Sequence, residues 1–323
     1  MKTKIFDQIR KKLKSVKTAI IAAHVDPDGD AIGSSLALAM LLEKMRIKAT
    51  VYSKDNVPEI YNFLPRSGEV VSRLPLGARF DVAFMLDASD ICRAGDKINI
   101  RELAKVLINI DHHPDNQKYG DINYVEKMSS VGEQIYQLAK YFKVKIDKNM
   151  AVCLYVAMIT DTGNFRYENT SIATFLMAAD LLKQGVDTHS ITSLIYDNKS
   201  VSSIRLRAMA MQQLQFACDG KIGLTVVDDA MMQKAGAKNE ELTGLIDLIR
   251  SVQGVEVAIL FRVDGDKIKI NFRSKQNVNV GEIAKSFGGG GHVKAAGAVL
   301  NGSLADVKAK VLSIVCSKLA TFA

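Results

Sequence analysis

Long apolar runs are missing from this sequence. The longest, AVCLYVAMI at 151–159, has nine residues and ends beside Asp161, about half of the roughly 18 that a membrane-spanning helix requires. A soluble protein with no membrane partner is therefore expected. Cysteine is scarce as well. Cys92, Cys153, Cys218 and Cys316 show neither C-x-x-C spacing nor local pairing, which argues against a zinc ribbon or a disulfide framework and predicts reduced, packed thiols in a cytoplasmic protein. The opening MKTKIFDQIRKKLKSVK lacks a long apolar segment and a small-residue cleavage site, so no targeting signal is expected there. Internal repeats and low-complexity stretches are also absent.

What is present fits a two-domain globular chain. The 323 residues are 48% apolar with a mean hydropathy near zero, enough to bury a sizeable core. The net charge of +8 is unevenly spread, because residues 1–17 hold seven Lys/Arg and one Asp. Most of the excess thus belongs to one terminal helix, read as a solvated face, and no long positive groove for nucleic acid follows from it.

Apolar segments alternate with helical patterns. TAIIAAH, ATVYSK, FDVAFMLDAS and KVLINIDHH read as near-continuous buried strands, and AIGSSLALAMLLEKMR repeats its apolar positions as a helix face does. This predicts an α/β fold, a doubly wound, mainly parallel sheet, with its site in the loops at the carboxyl ends of the strands. After helical patterns at 171–185 and about 200–216, a second pattern begins: KIGLTVVDD, then VEVAILFRV and KIKINFRSK around the hairpin signal VDGDK, then VGEIAKSF, GGGGH, AAGAVL and a last helix. It predicts a second, smaller α+β domain. The expected division is 1–190, a helical connector 191–216, and 217–323, with the active site in the cleft between the domains.

The polar residues fall at the strand ends. AAHVDPDGDAIGSS sets His24, Asp26, Asp28 and Asp30 into seven positions; Asp87 ends one strand, Asp111, His112 and His113 end another, and Asp161 closes the apolar helix. Carboxylates so close repel one another unless a cation sits among them. Aspartate and histidine without cysteine suit Mn²⁺, Mg²⁺ or Zn²⁺, and the ligands are too many for one tetrahedral ion. Two ions sharing a carboxylate would activate water and clamp an in-line displacement at phosphorus. Phosphoester hydrolysis is the reaction class this implies. The run Gly288–Gly291 reads either as a flexible linker or as an anion-binding loop. His189 and the Met/Leu stripe at 206–214 are read as a helix-end residue and as packing.

HVDPDGD, the aspartate of MLDASD, DHH at 111–113 and TDTGNF resemble, in order and spacing, the four motifs of the DHH phosphoesterases. NFRSK and FGGGGHVKAAGA resemble the DHH-associated C-terminal domain of the nanoRNase and pAp phosphatase branch. The resemblance implies that His24, Asp28 and Asp87 hold one metal and Asp30, Asp87, His112 and Asp161 the other, with Asp87 bridging. Mn²⁺ is the implied cofactor, with Mg²⁺ or Co²⁺ as alternatives. Asp26 is left as a loop residue, and Asp111 is implied to orient a ligating imidazole. His113, like Asp87 a catalytic candidate, resembles the family's phosphate-contacting histidine and helps the leaving group. Arg273, Ser274, Gly289, Gly290, Gly291 and His292 are implied to bind substrate. The implied substrates are short RNA or DNA oligonucleotides, linear dinucleotides such as pApA, and 3′,5′-phosphoadenosine, hydrolysed to mononucleotides, with a homodimer compatible with the pattern. A nucleotide sensor without turnover, a pyrophosphatase and a RecJ-type exonuclease are the competing readings.

Overall fold

The apolar runs expected as buried strands form a five-stranded sheet in the computed structural model, which describes residues 2–291 and 293–320. Strands β1 (Thr18–Ala22), β2 (Lys48–Tyr52), β3 (Val82–Leu86), β4 (Leu107–Asp111) and β5 (Ile122–Val125) lie in the order β2-β1-β3-β4-β5, with every neighbouring pair parallel. The chain leaves β1 toward β2 on one side and returns to β3 on the other. The loops that follow β1 and β3 therefore diverge at the switch point, where doubly wound sheets form their sites. β5 has four residues, only one of them buried, so it gives little strand signal in the sequence.

Among the described residues seven helices accompany this sheet: α1 (Lys2–Leu13), α2 (Gly29–Lys44), α3 (Ile100–Leu103), α4 (Val131–Phe142), α5 (Lys148–Asp161), α6 (Ile172–Leu182) and α7 (Thr188–Tyr196). The winding is lopsided. One sheet face, with Ile21, Phe84 and Ile110, shares a core with α1, α2, α4 and α5. The other, with Ile20, Ala83 and Met85, is buried under shorter elements that contribute Ala94, Ile98, Ile100 and Leu103. Glycines set how closely the helices approach. A Cβ on Gly33 would lie 2.5 Å from the Cys153 carbonyl oxygen, and one on Gly132 would lie 2.6 Å from the Ala157 Cβ. Bare backbone at these two positions lets α2 and α4 lie against α5. On α1, Phe6, Ile9 and Leu13 are buried while Lys4, Arg10 and Lys11 are exposed, a solvated basic face over an apolar one.

The second unit is a six-stranded sheet. Strands β6 (Gln215–Ala217), β7 (Ile222–Val227), β8 (Val257–Asp264), β9 (Lys267–Ser274), β10 (Gly290–Gly291) and β11 (Ala295–Asn301) lie in the order β10-β11-β9-β8-β7-β6, and only β7 and β8 pair in parallel. KIKINFRS alternates exposed and buried along β9, the period of a strand with one wet face. Helices α11 (Val280–Ser286) and α12 (Leu304–Ala320) cover one face. Over β7 and β8 the other is covered by α8 (Val201–Gln212), α9 (Asp229–Ala235) and α10 (Leu245–Ser251), with the 206–214 stripe in that core.

Two expectations need revision here. The units divide at 198/199, and the stretch 191–216 is not a single connector: Ile191 and Ile195 of α7 are buried in the first unit's core, whereas Leu206 and Ala210 of α8 are buried in the second's. Cys218 and Cys316 are not free thiols. They form a disulfide across 98 residues of sequence, with Cα atoms 6.1 Å apart, a proximity that linear spacing conceals. Cys92 and Cys153 are unpaired.

Candidate metal centre

The loop after β1 supplies the first ligand set. Nδ1 of His24 donates to the Val25 carbonyl at 2.7 Å, which fixes the tautomer and leaves Nε2 as the donor atom for a metal. That Nε2 faces Asp87 Oδ2 at 3.5 Å and Asp28 Oδ1 at 3.9 Å. Asp28 also caps α2, accepting from the Ala31 N–H at 3.0 Å, so capping anchors the carboxylate where the motif needs it. Asp26 adopts a left-handed backbone with φ 53°, its N–H donating to Asp55. It belongs to none of the ligand groupings.

Asp87, the first residue after β3, also adopts φ 53° and is 4% exposed. Its two oxygens face different loops: Oδ2 faces His24, and Oδ1 lies 3.4 Å from His112 Nε2 and 3.5 Å from His113 Nδ1. Oδ1 is buried and makes no hydrogen bond. Burial opposes ionisation of this carboxyl, but the surrounding imidazoles of His112, His24 and His113 hold it well below the usual range.

The second set comes from three elements. Asp30, in the first turn of α2, is fully buried, and its carboxylate accepts from the Val131 and Gly132 N–H groups at 2.7 and 2.9 Å. These are the first amides of α4, where a helix favours an anion. Burial, together with Asp87 and Asp161, nonetheless pushes Asp30 well above the usual carboxylate range. Asp161, the last residue of α5, is raised to about 7, chiefly by burial, with Asp87 and Asp28 adding to it. His112 lies between them, its Nδ1 3.6 Å from Asp161 Oδ2 and 3.2 Å from the Met128 carbonyl.

The ligand atoms thus gather as His24, Asp28 and Asp87, as Asp30, His112 and Asp161, and as Asp87, His112 and His113, each within 4.8 Å. The donor set suits divalent ions: only oxygen and imidazole donors, several acids that burial and mutual repulsion hold partly protonated, and one buried carboxylate oxygen without a hydrogen bond. His24 carries the same signature. Burial would lower its pKa, but Asp87 and Asp28 outweigh it and raise it to about 9.

Asp111 faces His113 more directly than His112. Its Oδ1 accepts from His113 Nδ1 at 2.6 Å and from the His112 backbone N–H at 2.9 Å, so the ring it orients is that of His113. Burial would lower the His113 pKa, but Asp111 and Asp87 raise it. Asn169 was not foreseen. Its Nδ2 donates to the Ser129 carbonyl at 2.9 Å and to Asp161 Oδ2 at 3.3 Å. Eight residues beyond Asp161 and outside any motif, it left no signal in a single sequence.

In the second unit, register brings most of the expected recognition residues to one end of the sheet. Ala295 of β11 pairs with Arg273, and the next residue, Ala296, pairs with Gly291. A Cβ on Gly289 would lie 2.1 Å from the Gly297 carbonyl oxygen, and one on Gly291 2.5 Å from that of Ala295, whereas one on Gly290 would meet open space. The first two glycines are demanded by strand packing, and Gly290 is not. Ser274 is 1% exposed, and its hydroxyl donates to the Val278 carbonyl at 2.7 Å. It ties β9 to the loop before α11, which corrects its expected place among the ligand contacts. His292 lies outside the described residues.

Known proteins resemble this chain over nearly its whole length. Residues 18–158 match the model of the DHH family, N-terminal domain, and residues 220–321 match that of the DHHA1 domain. The bifunctional oligoribonuclease and PAP phosphatase NrnA of Thermus thermophilus is 34% identical over 295 residues, spanning 90% of this chain and 86% of that protein. Its namesake in Bacillus subtilis is 28% identical over 285 residues, 87% of this chain and 88% of that one. The crystal structure of an exopolyphosphatase-related protein from Bacteroides fragilis superposes with a TM-score of 0.91 at 26% identity, covering 98% and 96% of the two chains. The chain belongs to the DHH family and carries the family's N-terminal domain followed by a DHHA1 domain.

Proposed function

We propose that the protein is a two-metal phosphoesterase that hydrolyses oligonucleotides of about two to five residues, linear dinucleotides such as pApA, and 3′,5′-phosphoadenosine, releasing mononucleotides. The observation that carries this reading is Asp87. One buried carboxylate turns its two oxygens to imidazoles from two separate loops, each with further acids around it. His24, Asp28 and Asp87 would hold one ion, and Asp30, Asp87, His112 and Asp161 the other. Such a pair, best served by Mn²⁺ for this oxygen-and-imidazole set, would supply Lewis-acid polarisation of the phosphoryl group and would lower the pKa of water.

The chain's own groups do the rest. His113, with Nδ1 committed to Asp111, carries a raised pKa and can contact a phosphate oxygen and give a proton to the departing group. In the second unit, Arg273 and the backbone of Gly289–Gly291 recognise a terminal phosphate, and the open space at Gly290 gives an anion room to approach the main chain. The relatives named as oligoribonucleases and PAP phosphatases over nearly the whole chain support that substrate class. No helix among the described residues is long and apolar enough to cross a membrane.

The test is a turnover panel with Mn²⁺, Mg²⁺ or Co²⁺ across RNAs of two to five and 24 nucleotides, pAp, pApA and pyrophosphate. The excess positive charge lies in residues 1–17, and little elsewhere would hold a long strand through successive phosphates. We expect kcat/KM to peak at two to five nucleotides and to fall at least tenfold for the 24-mer. A flat profile, or preference for pyrophosphate, would overturn the reading.

A further inference from the structure

A carboxamide that the assigned chemistry leaves out stands behind His113. Asn116 follows it by three residues, and its Nδ2 donates to Asp111 Oδ2 at 2.6 Å and to the Ala88 carbonyl at 2.9 Å. Its Oδ1 accepts from Asn109 Nδ2 at 2.8 Å and from the Lys118 N–H at 2.7 Å. An amide has two N–H donors and one oxygen with two lone pairs, so its capacity is used in full. The orientation is fixed, because a carboxylate and a carbonyl only accept and a backbone N–H only donates.

Each end of this chain is anchored. Asn109, fully buried on β4, also donates to Asn123 Oδ1 at 3.2 Å, and Asn123 is held by the Gly120 N–H and carbonyl at 2.9 and 2.7 Å. At the other end Asp111 divides its oxygens, giving Oδ2 to Asn116 and Oδ1 to His113. The rotation of the Asp111 carboxylate, and with it the plane of the His113 ring, is therefore set by an amide rooted in the sheet interior.

We propose that Asn116 is a positioning residue for phosphoester hydrolysis, holding Asp111 so that His113 meets the phosphoryl group in one orientation. The proposal rests on the assignment of His113 made above. Asn116 bonds to no candidate metal-ligating side chain in the contacts described, so its effect should fall on turnover and not on metal content. Outer groups that orient a working imidazole carry effects of about 10- to 100-fold.

The experiment is a double-mutant cycle on the full chain with Mn²⁺ and pApA, comparing wild type, Asn116→Ser, His113→Ala and the double variant. Metal content and melting temperature are measured alongside. Asn116→Ser should lower kcat by about 10- to 100-fold, with KM changed less than about threefold and metal content unchanged. In the His113→Ala background the same substitution should change kcat less than about twofold. Multiplicative losses in the double variant, or loss of bound metal, would overturn the proposal by showing that Asn116 acts through the Asp87 loop or the fold. Should Asn116→Ser fail to fold, Asn116→Asp keeps the shape while setting a second carboxylate against Asp111, and it enters the same cycle. Unfolding of both variants assigns Asn116 a purely structural role and likewise overturns the proposal. Absence of phosphoester turnover by the wild type refutes the functional reading itself, an outcome distinct from additivity in an active enzyme.

Discussion

Raising the pH should destabilise the protein when no divalent ion is bound, and the slope follows from the site. Burial pushes Asp161 from its ordinary 3.8 to about 7. His24 rises from 6.5 to about 9, with Asp87 and Asp28 outweighing the burial that opposes its charge. Asp30, His112 and His113 shift the same way. Each folded group holds a proton that the unfolded chain releases sooner. Its stability contribution is therefore complete below the unfolded value and is lost as the pH climbs through the folded one. The windows run from 3.8 to about 7 for Asp161 and from 6.5 to about 9 for His24. Asp87, whose pKa is depressed, acts in the opposite direction, but its window lies below 3.8. While one proton is being lost the slope approaches about 1.4 kcal/mol per pH unit, or about 3–6 °C in Tm for a domain of this size. The assay is scanning calorimetry of EDTA-treated protein from pH 5 to 9 at fixed ionic strength, in which the first unit's midpoint should fall. Saturating Mn²⁺ should flatten or reverse the trend, since a cation binds the deprotonated ligands and only the folded state gathers them. A flat or rising midpoint in EDTA would refute the account of these acids and imidazoles as a cluster waiting for a cation.

Asp87→Ala removes the carboxylate that faces both ligand sets. It should lower turnover by about 10²- to 10³-fold or more, the scale of losing a preorganised electrostatic contact, while circular dichroism stays native. Asp26→Asn is its control, with an amide that tolerates the left-handed backbone, and activity within about threefold of wild type is expected. Arg273→Ala should raise KM for pAp about tenfold or more and leave metal content unchanged; loss of bound Mn²⁺ would contradict the division of labour between the units. Reducing Cys218–Cys316 opens a link across 98 residues, for which chain entropy sets a ceiling of about 4–5 kcal/mol. Calorimetry with dithiothreitol should show the second unit melting earlier, and an unchanged midpoint would mean that the pair contributes nothing.

How much of this was legible in the sequence depended on how local the cause was. The strands of the first sheet announced themselves because both faces are buried, so TAIIA and VAFML are continuous apolar runs. β5, with one buried residue, and β6, exposed for two of its three, have no such run and were missed. The aspartates and histidines were legible because strand ends deliver them to one edge whatever the intervening chain does. Ser274, in contrast, sits beside Arg273 in NFRSK, and nothing in the motif says that one side chain turns into the core. Strand alternation decides it, and β9 has to be paired before the alternation can be assigned a face.

Hydrogen-bond donors sort the buried acids in a way that sequence cannot. Asp111 receives three: the His112 N–H, His113 Nδ1 and Asn116 Nδ2. The protein itself thus supplies this carboxylate with close donors on both oxygens. Asp30 receives two backbone amides but is still pushed upward by Asp87 and Asp161, so it is only partly provided for. Asp87 Oδ1 receives none, although the imidazoles around it keep the group ionised. Close, well-aligned donors favour a buried carboxylate most, and the fold supplies them to Asp111 at the end of the neighbouring strand but not to Asp87 Oδ1, whose imidazole neighbours stand 3.4 and 3.5 Å away. Close donors are thus scarce where the ligand sets meet, a place that coordination by a divalent cation would fill.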